Sequence, residues 1–216
     1  MESKEELFNQ IFPLACLYMQ VDSKKADSEF RESCLNVFSS LLKVENFKAY
    51  CQFLSMEELF SLGGEYMQEG EDLSFYLDDC ESAVIIAATL GIGIDSETSK
   101  LMITDMSKAV VFDALASAFL ENQTNEYEES LNLGPHTFRF APGYGDIPLE
   151  LNDIFIDSLS LTKRIGIGKS SNHLMLPQKS IIGICGVGKA LAPVCGHCPR
   201  LNSCSLRKDN LRCYSF

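Results

Sequence analysis

The sequence has no hydrophobic run long enough to cross a membrane as a helix, and positive charge is scarce in it. It holds 18 Lys and Arg against 30 Asp and Glu, a formal net charge of −12. A field of this sign repels phosphate backbones and argues against nucleic acid as a partner. The first twenty residues, MESKEELFNQIFPLACLYMQ, lack the basic n-region of a signal peptide. Together these absences predict a cytoplasmic protein that binds neither membrane nor nucleic acid.

The sequence also lacks a convincing Ser/His/Asp or Cys/His catalytic set, an internal repeat and a low-complexity tract. Its composition is typical of a folded domain, with 46% hydrophobic and 22% charged residues. A chain of 216 residues can bury a substantial core, as one large domain or as one domain with appendages.

Hydrophobic periodicity divides the chain into three sections. Residues 1–61 predict a helical N-terminal segment, because large apolar residues recur at helical spacing. Residues 62–184 predict an α+β core, because strand-like and helix-like segments alternate irregularly. Residues 185–216 form a tail that is rich in cysteine and poor in large apolar residues.

Within the predicted core, two elements are well marked. Ala83–Leu90 is a run that is apolar except for Thr89 and is followed by glycine, which indicates a buried strand. Met106 to about Glu129 predicts one long helix, with Thr104-Asp105 at its start. The remaining segments predict a strand at 136–140, a helix at about 148–159, and strands at 164–168 and 173–185.

The stretch RFAPGYGDIPLELND, residues 139–153, has two interpretations. Prolines and glycines commonly connect a strand to a helix. Alternatively, the guanidinium of Arg139 could bind a carboxylate in two places, and the ring of Tyr144 could accept a cation. Gly143 would let a ligand approach the backbone closely. S-adenosylmethionine carries both a carboxylate and a sulfonium cation.

The same stretch resembles the R-x-A-P-G-Y-x-x-x-P signature of the activation domain of cobalamin-dependent methionine synthase. The resemblance extends over roughly residues 62–184 and includes three further segments: GEDLSFYL at 70–77, TDMSKAVVFDALASAFLENQ at 104–123 and RIGIGKSSNHLMLPQKSIIG at 164–183. It implies a twisted antiparallel sheet flanked by helices, in agreement with the α+β interpretation.

The resemblance also implies a set of ligand contacts. Arg139 and Tyr144 would contact S-adenosylmethionine, and Ala141 and Gly143 would contribute backbone contacts. The acidic contact that the family places on its long helix aligns with Ser117 here. Glu121, one helical turn further on, is the residue that could replace it.

The function that the resemblance implies is repair of oxidised cobalamin. One electron and a methyl group from S-adenosylmethionine restore methylcobalamin, and the protein's task is to position the ligand and exclude water. This chain has no Asp-x-His-x-x-Gly corrinoid signature and is too short for a complete methionine synthase. We therefore expect an accessory protein, with cobalamin supplied by a separate corrinoid-carrying methionine synthase or related protein. An electron donor such as flavodoxin or ferredoxin would complete the system.

The tail carries Cys185, Cys195, Cys198 and Cys204 in the pattern C-x9-C-x2-C-x5-C. Four thiolates at such spacing can hold an iron–sulfur cluster or zinc, and clustered free thiols are the alternative. The pattern resembles the C-x6-C-x2-C-x5-C loop of endonuclease III-type DNA glycosylases. It therefore favours a [4Fe–4S] cluster, with zinc as the alternative.

Two other functions remain open at this stage. The altered acidic position motivates a regulatory module that has kept the fold and lost the ligand pocket. The cysteine pattern, together with GICGVGKALAP at 183–193, suggests an iron–sulfur protein of the DNA glycosylase type, which the net charge of −12 opposes.

Overall fold

The centre of the structure, a computed structural model describing residues 3–67 and 71–191, is a three-stranded antiparallel sheet. Its strands are β1 (Lys48–Ser55), β2 (Ser82–Thr89) and β5 (Ser180–Val187), in the order β1-β2-β5. β2 pairs with both neighbours along its whole length. Helices cover both faces of β2, and its residues Ala83–Ala88 are all apolar and fully buried, so the predicted buried strand is confirmed.

Residues 136–140 run beside β5 without forming a continuous ladder. His136 bridges to Val187 and Phe140 bridges to Ile184, so four steps along this segment oppose three along β5. This mismatch is a bulge, which bends a strand and redirects its side chains. The predicted strand at 136–140 is therefore present only as isolated bridges.

One face of the sheet is covered by four helices: α1 (Lys4–Tyr18), α2 (Ser28–Leu41), α5 (Ile92–Thr104) and α6 (Met106–Ser130). They bury a cluster that includes Phe8, Phe12, Phe38, Phe112 and Phe119. The side chain of Asp105 caps α6 by accepting the backbone N–H of Lys108 at 3.1 Å. The predicted start and length of the long helix are confirmed.

The other face carries α3 (Met56–Gly63), a 3-10 turn (Gly64–Met67), α4 (Glu71–Leu77), α7 (Leu151–Ser158) and α8 (Leu161–Arg164). Their core includes Tyr76, Phe140 and Phe155. Side-chain alternation along β2 separates the two cores. Ala83, Ile85 and Ala87 belong to this second core, whereas Val84, Ile86 and Ala88 face the side of α6. A small hairpin of β3 (Gly168–Lys169) and β4 (Met175–Leu176) completes the fold.

The α+β class, with a three-stranded antiparallel sheet flanked by helices, is confirmed. The helical prediction for residues 48–55 is wrong, because β1 lies there and pairs with β2 from Lys48 to Ser55. Cross-strand pairing outweighs local propensity in a half-buried segment of this kind. The strand predicted at 164–168 is present only at its last residue, because Arg164 ends α8 and β3 begins at Gly168. The boundaries at 61/62 and 184/185 stay predictions, and the second of them falls inside β5.

No helix among residues 3–67 and 71–191 combines the length and apolar character that a membrane span requires.

Candidate ligand-binding site

Arg139 reaches the face of the sheet that α6 covers by crossing β5 over Gly183. A Cβ atom added to Gly183 would collide with the Cγ atom of Arg139 and would lie 3.0 Å from its Cδ atom. Glycine inside a strand commonly marks such a close approach. The position of Arg139 therefore depends on a glycine 44 residues away, which was not among the predicted site residues.

The guanidinium of Arg139 is held by three side chains on one face of α6. Nη2 donates to Glu121 Oε2 at 3.0 Å and to Asn125 Oδ1 at 3.1 Å, while Nη1 donates to Glu128 Oε2. The Arg139 side chain is only 7% exposed. Of these three partners the sequence predicts only Glu121, and not Asn125 or Glu128. The spacing of four and three residues, which places all three on one helical face, is the signal that could have found them.

Glu128 is engaged on both of its oxygens. Besides its ion pair with Arg139, its Oε1 atom lies 3.2 Å from His136 Nε2. His136 Nδ1 in turn lies 2.7 Å from the carbonyl oxygen of Gly134. These contacts connect α6, the turn after it and residues 136–140 into one polar network beneath the sheet.

Cys185, one of the four predicted metal ligands, lies beside this network within β5. It is fully buried, with Val84 and Ile86 in the same apolar cluster. Burial raises the pKa of the Cys185 thiol well above its ordinary value, and the neighbouring Glu128 carboxylate raises that pKa further. The structure therefore places this thiol in the core, and its role as a metal ligand stays a prediction.

Cys195, Cys198 and Cys204 lie outside the described residues. In the parts of the chain that the structure describes, no three His, Cys, Asp or Glu side chains come together as a metal site.

A cavity of about 210 Å³ lies between α1 and α6 on the same side of the sheet. Its wall includes Glu121 and Asn125, two of the partners of Arg139. α1 contributes Gln10, whose Oε1 accepts a hydrogen bond from Asn122 Nδ2 at 3.2 Å. Ile11, Leu14 and Ala118 supply the apolar lining. The arginine cluster therefore adjoins a small cavity that is partly polar and partly apolar.

Tyr144 lies on the opposite face of the sheet from α6. Its ring centroid is 5.9 Å from that of Phe138 and 6.2 Å from that of Tyr76, within the second core. Burial raises the pKa of Tyr76, and the contact with Tyr144 adds to this shift. The structure thus brings Arg139 and Glu121 together and places Tyr144 on the other side of the sheet.

The glycine turn between Arg139 and α7 is ordered by its own backbone hydrogen bonds. Gly143 N–H donates to the Ile147 carbonyl at 2.8 Å, and Tyr144 N–H donates to the Ala141 carbonyl at 3.0 Å. Gly143 has φ 87° and Gly145 has φ 58°, the left-handed region that favours glycine. The turn is therefore a rigid connection, and the N–H group of Gly143 is already occupied.

Ser117, aligned with the family's acidic contact, belongs to a different cluster. Lys179 Nζ donates to Ser117 Oγ at 2.8 Å and forms an ion pair with Asp113 at 2.7 Å. Lys179, the residue immediately before β5, therefore occupies this position on α6. Glu121, one turn later, is the acidic residue that meets Arg139.

A comparison with solved structures places the chain in a known fold. No protein-family profile matches the sequence, and no curated protein matches it. Among solved structures, the chain is similar to the crystal structure of the MetH reactivation domain bound to AdoHcy. The TM-score is 0.61 at 13% sequence identity, over 99% of this chain and 86% of that chain. At this identity the likeness shows the fold, so the chain has the α+β architecture of that reactivation domain.

Proposed function

We propose that this chain binds S-adenosylmethionine through Arg139 and supports reductive remethylation of a corrinoid carried by a separate protein. The observation that carries the proposal is the buried guanidinium of Arg139, held by α6 beside a cavity. Support comes from the shared fold, because the similar reactivation domain was crystallised with AdoHcy. The corrinoid partner would be a methionine synthase or a related protein, and flavodoxin or ferredoxin would supply the electron.

The residues around Arg139 fit one end of such a ligand. Arg139 Nε is buried and has no hydrogen-bond acceptor among the described residues, so one donor of the guanidinium is left unsatisfied within the described chain. The cavity of about 210 Å³ lies below the roughly 300 Å³ at which pockets for whole drug-sized ligands begin. It is suited to the amino-acid end of the ligand, and the nucleoside would extend outside it.

The remaining proposed contacts set the path of the ligand. Because Tyr144 packs on the other face of the sheet, a ligand held by Arg139 would pass the edge formed by residues 136–140 to reach it. Ala141 and Gly143 lie in the turn along this path. When bound, S-adenosylmethionine supplies the activated methyl group. The task of this chain is to fix the ligand's orientation, which contributes to rate through positioning.

Titration calorimetry with S-adenosylmethionine and S-adenosylhomocysteine tests the proposal. We expect Arg139→Gln to weaken both ligands by about tenfold or more, the worth of a charge-assisted hydrogen bond. Glu126→Gln is the matched control, because Glu126 is an exposed residue of the same helix. Circular dichroism would establish that each variant is folded.

Unchanged binding in Arg139→Gln would contradict the proposal. If the folded wild-type chain binds neither ligand, the regulatory-module alternative gains support. The observation that favours that alternative is the guanidinium of Arg139, which already has two carboxylate partners within the chain.

We also propose that the tail binds a metal, either a [4Fe–4S] cluster or zinc, through Cys195, Cys198 and Cys204. The support is the spacing of these cysteines in the sequence.

Iron, sulfide and zinc analysis of anaerobically purified protein tests the proposed metal site. Cys198→Ser should lose metal and Cys34→Ser, a buried-core control, should keep it. Cys185→Ala tests the fourth predicted ligand: loss of metal would support its place in the site, and retained metal would exclude it. A wild-type protein without iron, sulfide or zinc would overturn the metal site.

A further inference from the structure

The two edges of the central sheet differ in how they are protected. At the β5 edge, residues 136–140 run beside the strand, and the backbone groups of Ile184 and Gly186 are hydrogen-bonded to them. At the β1 edge, no strand or bridge lies beside β1 among residues 3–67 and 71–191. An open edge presents N–H and C=O groups to which another strand can pair. The β1 edge is therefore the place where this sheet can be extended.

The alternation of hydrogen bonds shows which backbone groups of β1 are open. Because Ile184 and Gly186 bond outwards, the odd-numbered residues of β5 bond to β2. The registers of the two strand pairs carry this alternation across the sheet, so the even-numbered residues of β1 bond to β2. Ala49, Cys51 and Phe53 direct their backbone groups outwards. Their N–H groups have no acceptor in the part of the chain that the structure describes.

β1 also lacks the features that commonly keep an edge strand from pairing, which are shortness, bulges, proline and charge. It is eight residues long, pairs with β2 without a bulge, contains no proline and carries its one charge, Lys48, at its first position. The side chain of Phe53 is 54% exposed. On the α6 side of the strand, the half-buried residues Tyr127 and Leu131 pack in one apolar cluster with Cys51. Apolar surface therefore flanks an open hydrogen-bonding edge.

The charges at the two ends of β1 have opposite signs. Lys48 begins the strand, and Glu57 lies in the first turn of α3, directly after the end of the strand. Both residues are exposed, and neither forms an ion pair within the described residues. An antiparallel pair of two β1 strands brings Lys48 of each copy to the end of the other strand, where Glu57 follows. The edge is therefore complementary to itself in this orientation.

We infer that β1 pairs with β1 of a second copy of this chain, antiparallel and about a two-fold axis at Cys51. The two three-stranded sheets then form one continuous sheet. This centre uses all three outward-facing residues, because Ala49 lies opposite Phe53 of the second copy and Cys51 lies opposite its own equivalent. A centre one residue further along would need the N–H of Ser55, which the Oε2 atom of Glu58 already accepts at 2.7 Å.

This dimer does not depend on the proposed function. Arg139 crosses β5, and β2 separates β5 from β1, so the pairing leaves the candidate site of each copy open. Ligand binding and dimer formation can therefore fail separately.

Sedimentation equilibrium of the full chain under reducing conditions, from micromolar to near-millimolar concentrations, tests the inference. We expect a reversible equilibrium between the 24.0 kDa chain and a dimer of twice that mass, with the micromolar affinity of a small interface. Phe53→Lys places a charge beside the open edge and should leave only monomer. Circular dichroism would establish that each variant is folded. A wild-type chain that stays monomeric over this range would overturn the inference.

A charge swap separates self-pairing of β1 from any other dimer interface. Lys48→Glu should weaken the dimer by about fivefold or more, because acidic residues then meet at both ends of the paired strands. Lys48→Glu/Glu57→Lys should restore the wild-type affinity, since opposite charges meet again. Lys24→Glu is the matched control, because Lys24 is an exposed residue between α1 and α2, and it should leave the dimer unchanged.

Two results would show that the dimer forms elsewhere. One is a dimer that neither Phe53→Lys nor Lys48→Glu weakens. The other is a charge-swapped variant that stays as weak as Lys48→Glu alone, since self-pairing requires that the exchanged charges meet across the two-fold axis.

Discussion

The carboxylate of Asp146 accepts a hydrogen bond of 2.7 Å from the backbone N–H of Glu71, although the two residues are 75 positions apart in the sequence. It also accepts the N–H of Asp72 at 3.3 Å, and the Asp72 carboxylate accepts the N–H of Asp146 at 3.3 Å in return. Asp146 thereby satisfies orphan donors at the start of α4, as a helix cap does. This exchange ties the glycine turn after Arg139 to α4 and fixes the direction in which the turn leaves the sheet.

We expect Asp146→Ala to lower the free energy of unfolding by about 1 kcal/mol, the usual value of a lost helix cap. Asp146→Asn is the matched control and should keep most of the stability, because its side-chain oxygen still accepts hydrogen bonds. Urea denaturation followed by circular dichroism measures both. A stability of Asp146→Ala equal to that of the wild type would show that the turn and α4 are held by other contacts.

Gly183→Ala should displace Arg139, because the new Cβ atom would occupy the space of the Arg139 side chain and would lie 3.1 Å from the Phe140 carbonyl oxygen. Overpacking of this kind costs about 1–3 kcal/mol of stability. Affinity for S-adenosylhomocysteine should fall as well, since the guanidinium moves relative to α6. Urea denaturation measures the loss of stability, and calorimetry measures the loss of affinity.

Gly168→Ala is the control for this substitution. Gly168 is also a strand glycine, but an added Cβ atom would meet only the Leu176 carbonyl oxygen, at 3.8 Å. It should leave ligand affinity unchanged. The same small effect in both variants would mean that Arg139 does not need the space above Gly183.

We expect the protein to lose stability at high pH because of two buried thiols. Burial raises the pKa of Cys16 to about 11, with a further contribution from Cys34, and burial likewise raises the pKa of Cys34 to about 11. Their ordinary value is 9.0. The pKa of each thiol is higher in the folded protein than in the unfolded chain. Its contribution to the free energy of unfolding is therefore complete below pH 9 and is lost as the pH rises towards 11.

The measurement is urea unfolding between pH 8 and pH 11 for the wild type and for Cys16→Ala/Cys34→Ala. Other groups titrate in this range in both proteins, so the difference between their pH profiles isolates the two thiols. We expect the wild type to lose more stability than the double variant over this interval. Parallel profiles would show that these thiols titrate in the folded protein as they do in the unfolded chain.

Several elements could be predicted because their signals are local. The continuous apolar run of β2 and the cap of α6 at Asp105 act within a few residues. β1 could not be predicted in this way, since residues 48–55 are only partly buried and are stabilised as a strand by pairing with β2. The short bridges at 136–140 depend equally on a distant neighbour, because their partners in β5 lie at least 44 residues later.

The candidate site likewise has parts that the sequence predicts and parts that depend on the tertiary structure. The sequence by itself determined the local elements of the candidate site: an arginine before a turn shaped by Gly143 and Gly145, and a long helix that carries Glu121. Only the tertiary structure decided that Arg139 meets Asn125 and Glu128 as well, that Tyr144 lies on the opposite face, and that Cys185 is buried within β5. The physical reason is side-chain direction. A strand alternates its side chains between two faces, so the bulge at 136–140 and the packing of α6 determine which partners Arg139 can reach.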